Sequence, residues 1–127
     1  MQTAITNKFR PISLRGHGVM DYVFALLLGF GPWFFGFAQE EPARDMAVAI
    51  AVMVICYTVS TDYELGLVQL LPFRAHLWMD LLVGLALLIA PSWMPISNTA
   101  RIVLMCFGAV ALVVTTLTRR PHPNVPS

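Results

Sequence analysis

The sequence predicts an all-α integral membrane protein, a four-helix bundle made of two tandem transmembrane hairpin repeats. Its 127 residues are 57% hydrophobic and only 12% charged, whereas an average soluble domain is about 25% charged. Four apolar stretches each approach the roughly 20 residues that are needed to cross a bilayer. The second half of the chain also repeats the polar pattern of the first half. These three observations exclude an ordinary soluble domain.

The first repeat is predicted over residues 13–61 and contains two membrane spans. The first span runs from about residue 15 to residue 37, with Ser13 as a candidate N-cap. We expect Pro32 to break this span near its end, because proline removes a backbone donor and clashes with the preceding turn. The second span covers residues 43–61. Together the two spans form a hairpin.

The second repeat is predicted over residues 72–118. Its first span runs from about Pro72 to Ile89, and its second from Arg101 to Thr118, with Asn98 as a candidate cap. The remaining chain is then divided into three segments: an N-terminal segment (1–12), a linker (62–71) and a tail (119–127). All three segments lie on the same side of the membrane, because each hairpin crosses it twice.

An internal duplication supports this division. A shift of 59 residues brings seven identities into an 18-residue window: Arg15, His17, Met20, Asp21, Leu26, Leu28 and Pro32 match Arg74, His76, Met79, Asp80, Leu85, Leu87 and Pro91. Thr58 and Thr61 recur 57 residues later as Thr115 and Thr118. Shared hydrophobicity does not explain matched polar residues. Because each unit crosses twice, the halves run in the same direction, as in other parallel-repeat membrane proteins.

Both copies end their first helix in a proline followed closely by a tryptophan, as Pro32-Trp33 and as Pro91-Ser92-Trp93. With the paired Arg-x-His-x-x-x-Asp segments and the link from Tyr57 to Gly66, this pattern resembles the bacterial SPW-repeat membrane proteins. The resemblance covers about Arg15 to Thr118. It implies an integral membrane domain and no established biochemical activity.

The positive charges predict the orientation. Six Lys and Arg residues lie on the side of the termini and two on the other side: Lys8, Arg10, Arg15, Arg74, Arg119 and Arg120 against Arg44 and Arg101. The positive-inside rule then places both termini in the cytoplasm, in a bacterial inner membrane. The net charge of +1 gives no sign of a nucleic-acid partner. The predicted partners are the lipid bilayer and either further copies of the chain or a larger membrane complex.

The polar residues inside the spans are the candidate site. Residues four apart share a helix face, so His17 lies over Asp21 and His76 over Asp80. We expect these residues to cluster with Arg15 and Arg74 at the cytoplasmic end. The first hypothesis is a structural clasp, in which each aspartate accepts hydrogen bonds from an Arg, His or Thr on a neighbouring helix. The protein is then a structural or accessory subunit, with no cofactor and no enzymatic activity.

Two alternatives use the same four residues, His17, Asp21, His76 and Asp80. Two imidazoles and two carboxylates form a possible site for zinc or another divalent metal ion. Ionisable residues inside a membrane also mark proton or solute paths, which indicates a small transporter. Catalysis is disfavoured, since the chain lacks a nucleophile beside an evident base and a phosphate-binding glycine loop. Cys56 and Cys106 are expected to be inert, buried packing residues.

Overall fold

The computed structural model of the protein describes residues 8–120, and the regular elements of that range are all helical. Four α-helices follow one another: α1 (Leu14–Phe34), α2 (Glu41–Val59), α3 (Phe73–Ile89) and α4 (Asn98–Leu117). A 3-10 turn over Ala90–Trp93 follows α3. α1 packs along α2, and α3 along α4. The predicted all-α four-helix fold is confirmed, while most of the predicted terminal segments lies outside the described residues.

Serine residues cap two of the helices. The Ser13 hydroxyl accepts a hydrogen bond from the backbone N–H of Gly16 at 3.1 Å, which confirms the predicted cap of α1. At the start of α4 the predicted cap was wrong by one residue. Ser97, with an extended backbone, accepts from the N–H of Ala100 at 3.2 Å, and Asn98 is the first helical residue.

The end of α1 differs from the prediction. The helix continues through Pro32 to Phe34, because a proline this close to the C-terminus removes only one of the last backbone hydrogen bonds. Gly36 sets the end of the helix instead. It adopts φ +81°, and the N–H of Phe37 then donates to the carbonyl of Pro32 at 2.8 Å. This is the Schellman arrangement, in which a left-handed glycine reverses the chain.

Small residues allow close approach inside each hairpin. A Cβ added to Gly108 in α4 would lie 2.6 Å from the backbone nitrogen of Leu88 and 2.8 Å from the carbonyl oxygen of Gly84 in α3. In the first hairpin a Cβ on Gly29 would meet the Cβ of Ala51 at 3.2 Å. Close backbone contact of this kind strengthens the dispersion attraction between helices. This attraction matters in a membrane because lipid gives no hydrophobic driving force for helix association.

The two repeats are joined by matching backbone pairs. Ile12, just before α1, forms an isolated parallel bridge with Thr118 after α4, and Leu71, just before α3, forms the same bridge with Thr61 after α2. In each bridge the N–H that follows the threonine donates to the carbonyl of the partner, at 2.8 and 2.7 Å. We call this end of the bundle, where α1 and α3 begin and α2 and α4 end, the motif end.

Three helical stretches in the described residues are long and apolar enough to cross a membrane: Glu41–Val59, Phe73–Trp93 and Asn98–Leu117. α1 has 21 residues but carries charged and polar side chains in its first turns. Large apolar residues are exposed on all four helices, among them Leu27, Phe30, Met53, Trp78, Leu82 and Ile102. An apolar outer surface of this extent is typical of a membrane protein. Cys56 and Cys106 are free and exposed, so the expectation that they are buried was wrong.

A polar contact joins the repeats at the opposite end of the bundle. The Glu40 carboxylate, just before α2, accepts hydrogen bonds from the Ser97 hydroxyl at 2.6 Å and from its backbone N–H at 2.7 Å. Both donors stabilise the ionised form, so they lower the pKa of Glu40 below its usual value.

This contact predicts a sensitivity to acid. Because the Glu40 pKa is lower in the folded than in the unfolded protein, its contribution to stability is present above the unfolded pKa and is lost as pH falls through the folded pKa. We expect the melting temperature in detergent micelles to fall more steeply below about pH 4.5 for the native chain than for Glu40→Gln. If the melting temperatures of the two proteins fell equally with pH, the lowered pKa of Glu40 would be contradicted.

Candidate functional site

Four ionisable side chains meet in the interior at the motif end. His17 and Asp21 come from the first turns of α1, and His76 and Asp80 from the first turns of α3. The two histidines are at most 1% exposed and the aspartates 5–7%. The predicted meeting of these four residues is therefore observed in the structure. We call them the His/Asp ring.

The shortest contacts in the ring cross from one repeat to the other. His17 Nε2 lies 2.7 Å from Asp80 Oδ2, and His76 Nε2 lies 2.7 Å from Asp21 Oδ2. Within each repeat the corresponding distances are longer, at 3.3 Å in α1 and 3.1 Å in α3. The spacing of four residues places each pair on one face, but each histidine binds the aspartate of the other repeat.

Two threonines determine which histidine nitrogen carries a proton. The Thr118 hydroxyl donates to the carbonyl of Val114 at 2.7 Å, and the Thr61 hydroxyl donates to the carbonyl of Tyr57 at 2.5 Å. A hydroxyl has only one proton, so each threonine oxygen must accept from the Nδ1–H of a histidine. These contacts are 2.6 Å for His17 and 2.8 Å for His76. Each Nε2 therefore shares one further proton with a carboxylate.

The ring is electrically balanced in either proton arrangement. A His–Asp pair with one shared proton is an imidazolium with a carboxylate or a neutral imidazole with a carboxylic acid. Both forms carry no net charge, and two such pairs give a neutral ring. Neutrality and complete pairing are the conditions under which ionisable groups are tolerated inside a membrane.

Tyr57 also belongs to the site, and the sequence reasoning did not assign it a role. Its hydroxyl donates to Asp80 Oδ1 from α2. The residue 57 positions later, Val114, has no hydroxyl, so Asp21 lacks the equivalent bond. One signal in the sequence was available: Tyr57 precedes Thr61 by four residues and so shares its helix face.

The predicted arginines lie outside the ring. Arg15 forms an exposed ion pair with Glu64 at 3.4 Å. Arg74 is exposed and lines a shallow groove together with Arg120. A long arginine side chain at the bundle end extends its guanidinium group toward water at a lower cost than it would enter the interior. The structure therefore brings together the histidines and aspartates but not the arginines.

The proline and tryptophan motif residues lie away from the ring, at the opposite end of the bundle. Pro32 and Pro91 are buried, whereas Trp33 and Trp93 are 59% and 82% exposed. Exposed tryptophans at a helix end match the preference of indole rings for the headgroup layer. These four residues therefore mark the opposite end of the bundle and are not part of the ring.

Tyr63 covers the ring at the motif end. Its ring lies 6.1 Å from that of His76 and 5.8 Å from that of Phe73, between centroids. It also packs on Gly18, where a Cβ would collide with the phenol. Burial raises the pKa of Tyr63 above its usual value, so the phenol is neutral. A neutral aromatic cover limits the access of water to the ring.

The ring also has the composition of a metal site. Each of the four residues offers one nitrogen or oxygen ligand, and these atoms lie within 4.8 Å of one another. Zinc binds nitrogen and oxygen ligands at about 2.0–2.2 Å, so ligand atoms this close to one another are within reach of a single ion. Both histidines use Nδ1–H for a second bond, which leaves Nε2 directed at the centre, as in known metal sites.

The family described as the SPW repeat domain matches residues 15–118, a range that contains the four helices except for Leu14, the first residue of α1, and the whole ring. Searches of curated proteins and of solved structures found no match.

Proposed function

This chain belongs to the SPW repeat family, and we propose that it is a structural or accessory protein of the bacterial inner membrane, without enzymatic activity. In this proposal all four helices span the bilayer, both termini are cytoplasmic, and the His/Asp ring holds the two repeats together. The observation that carries the proposal is the exchange of partners, in which each histidine binds the aspartate of the other repeat.

The ring suits this role because apolar helix faces specify little by themselves. In a bilayer, lipid tails are as apolar as the helix faces, so apolar contact alone does not select a partner. Interhelical hydrogen bonds then determine which faces meet. The bonds of the ring exist only when α1 and α3 begin at the same depth and turn the same faces to each other. The ring therefore sets the relative register of the two hairpins.

The distribution of cations supports the proposed orientation. At the motif end Arg15 and Arg74 are exposed. At the opposite end Arg101 donates to three backbone carbonyls, and Arg44 pairs with Asp45 at 2.9 Å. Arg10 and Arg119 also lie at the motif end, so cationic side chains are more numerous there than at the opposite end, and the positive-inside rule associates such an excess with the cytoplasm.

A double-mutant cycle tests the proposed role of the ring. We expect the coupling energy between His17→Ala and Asp80→Ala, which break a bond between repeats, to exceed about 1 kcal/mol. The matched cycle uses His17→Ala with Asp21→Ala, two positions of the same repeat. Thermal unfolding in detergent micelles measures both. A smaller coupling across the repeats than within one repeat would overturn the proposal.

The second candidate is a metal-binding membrane protein, favoured by the four convergent ligand atoms. Replacement of the two shared protons by one divalent ion keeps the ring neutral, since two carboxylates balance the charge of the ion. Arg15 and Arg74 are exposed and lie outside the ring, so neither guanidinium group adds positive charge beside an ion bound there. Elemental analysis of untagged protein, beside His17→Ala/His76→Ala, decides this candidate. One metal ion per chain, lost in the variant, would establish it, and no metal in either protein would reject it.

The accessory role requires a partner. The linker between the repeats exposes Leu67 and Leu70, which are 82% and 75% accessible. Exposed leucines beside a membrane surface bury themselves in the interface or against another protein. Purification in a mild detergent, followed by mass spectrometry of the bands that remain with the protein, tests for further copies and for one defined complex. A purified species that contains only one copy of the chain would contradict the accessory role.

A further inference from the structure

A cleft opens on the outer surface of the bundle and reaches the His/Asp ring. Its volume is about 460 Å³, within the range of about 300–1,000 Å³ that is typical of ligand sites. α1 and α4 form its apolar walls, including Met20, Phe24, Leu27, Phe107, Val110 and Val114. Asp21, Tyr57 and Asp80 form its polar floor. The cleft therefore joins the outer, apolar surface to buried carboxylates.

Comparison of the two repeats shows that the α4 wall of the cleft lacks a tyrosine that the first repeat has at the equivalent position. In the first half, the Tyr57 phenol donates a hydrogen bond to Asp80. The equivalent residue in the second half is Val114, which lines the cleft beside Asp21. The other ring contacts, including those of Thr61 and Thr118, occur in both halves. The cleft is thus the place where a second phenol would complete the symmetry of the site.

The polar groups at the cleft specify the kind of head group that fits. The Thr115 hydroxyl lines the cleft and is buried without a hydrogen-bond partner among the described residues. The equivalent hydroxyl of Thr58 in the first half is also unpaired among the described residues, so the two threonines do not distinguish the halves. The halves differ in the residue that precedes each threonine, which is Tyr57 in the first half and Val114 in the second. Since the ring is already neutral, a neutral donor suits Asp21, whereas a cationic head group would bring an unbalanced charge into the interior.

We propose that the cleft between α1 and α4 binds a membrane-soluble phenol, whose hydroxyl donates to Asp21 as the Tyr57 hydroxyl donates to Asp80. The apolar tail of the phenol would lie along α1 and α4 toward the lipid. The apolar walls favour any lipophilic molecule by the area that they bury, and the carboxylate selects the hydroxyl. This site needs no metal ion and does not depend on an accessory role.

A pair of probes that differ in one hydroxyl tests the proposal. Protein in detergent micelles is titrated with 4-octylphenol and, separately, with octylbenzene. We expect 4-octylphenol to raise the melting temperature by about 4 °C at saturation, and octylbenzene to have little effect. An equal rise with both probes would show a purely apolar cleft, and no rise with either would show no site. Either result overturns the proposal.

Two matched variants locate the binding. Val114→Tyr places the missing phenol in the cleft, so we expect it to raise the melting temperature and to abolish the effect of 4-octylphenol. Val113→Tyr is the control, because Val113 is 55% exposed and lies outside the cleft lining; it should leave the effect of the probe intact. Retained binding in Val114→Tyr would place the probe elsewhere. If that variant does not fold, the comparison of the two probes on the native chain still tests whether the cleft binds a phenol.

Discussion

Replacement of Asp80 by alanine should destabilise the protein by about 3–5 kcal/mol, because it removes one partner of a buried polar network and leaves the others unpaired. Asp80 contacts three side chains, those of His17, Tyr57 and His76. All three of these side chains are buried. Thermal unfolding in detergent micelles measures the loss.

The same change at Asp21 should cost less, since Asp21 contacts the two histidines but has no tyrosine partner. Asp45→Ala provides the control. Asp45 is 68% exposed and pairs only with Arg44 on the surface, and such pairs contribute about 0–1 kcal/mol. Equal melting temperatures for Asp80→Ala and Asp45→Ala would show that the ring contributes nothing to the fold.

Gly108→Leu should prevent the normal packing of α4 on α3. Even the first carbon of the new side chain would lie 2.6 Å from the backbone nitrogen of Leu88, and backbone atoms cannot turn away as a side chain can. The helices would have to separate along their whole contact, with a loss that exceeds the about 1–3 kcal/mol of ordinary overpacking. Yield of folded protein by size-exclusion chromatography and thermal unfolding measure the effect.

The comparison for this variant is Gly31→Ala. A Cβ at Gly31 would meet only the ring of Phe35, at 3.7 Å, which is an ordinary contact. Alanine also favours the helix over glycine by about 1 kcal/mol. Gly31→Ala should therefore be neutral or slightly stabilising. A folded Gly108→Leu with native stability would contradict the close approach of α3 and α4.

Much of the architecture was predictable from the residues alone. The four helices follow from the length of the apolar runs, and the duplication follows from matched polar residues such as His17 and His76. Ser13 was predictable as a cap because a serine before an apolar run supplies the acceptor that the first turn lacks. The end of α1 was not, because a proline in the last turn costs little and the reversal depends on the left-handed conformation of Gly36.

The candidate site was also predictable in part from the sequence and in part only from the tertiary structure. Spacing along a helix determined by itself that each histidine shares a face with an aspartate, since helix periodicity is a local property. Only the tertiary structure decided that His17 binds Asp80 and that Tyr57 joins them. It also placed Arg15 in an exposed pair with Glu64. These choices depend on the depth and rotation of one hairpin against the other, and these are set by contacts between residues far apart in the chain.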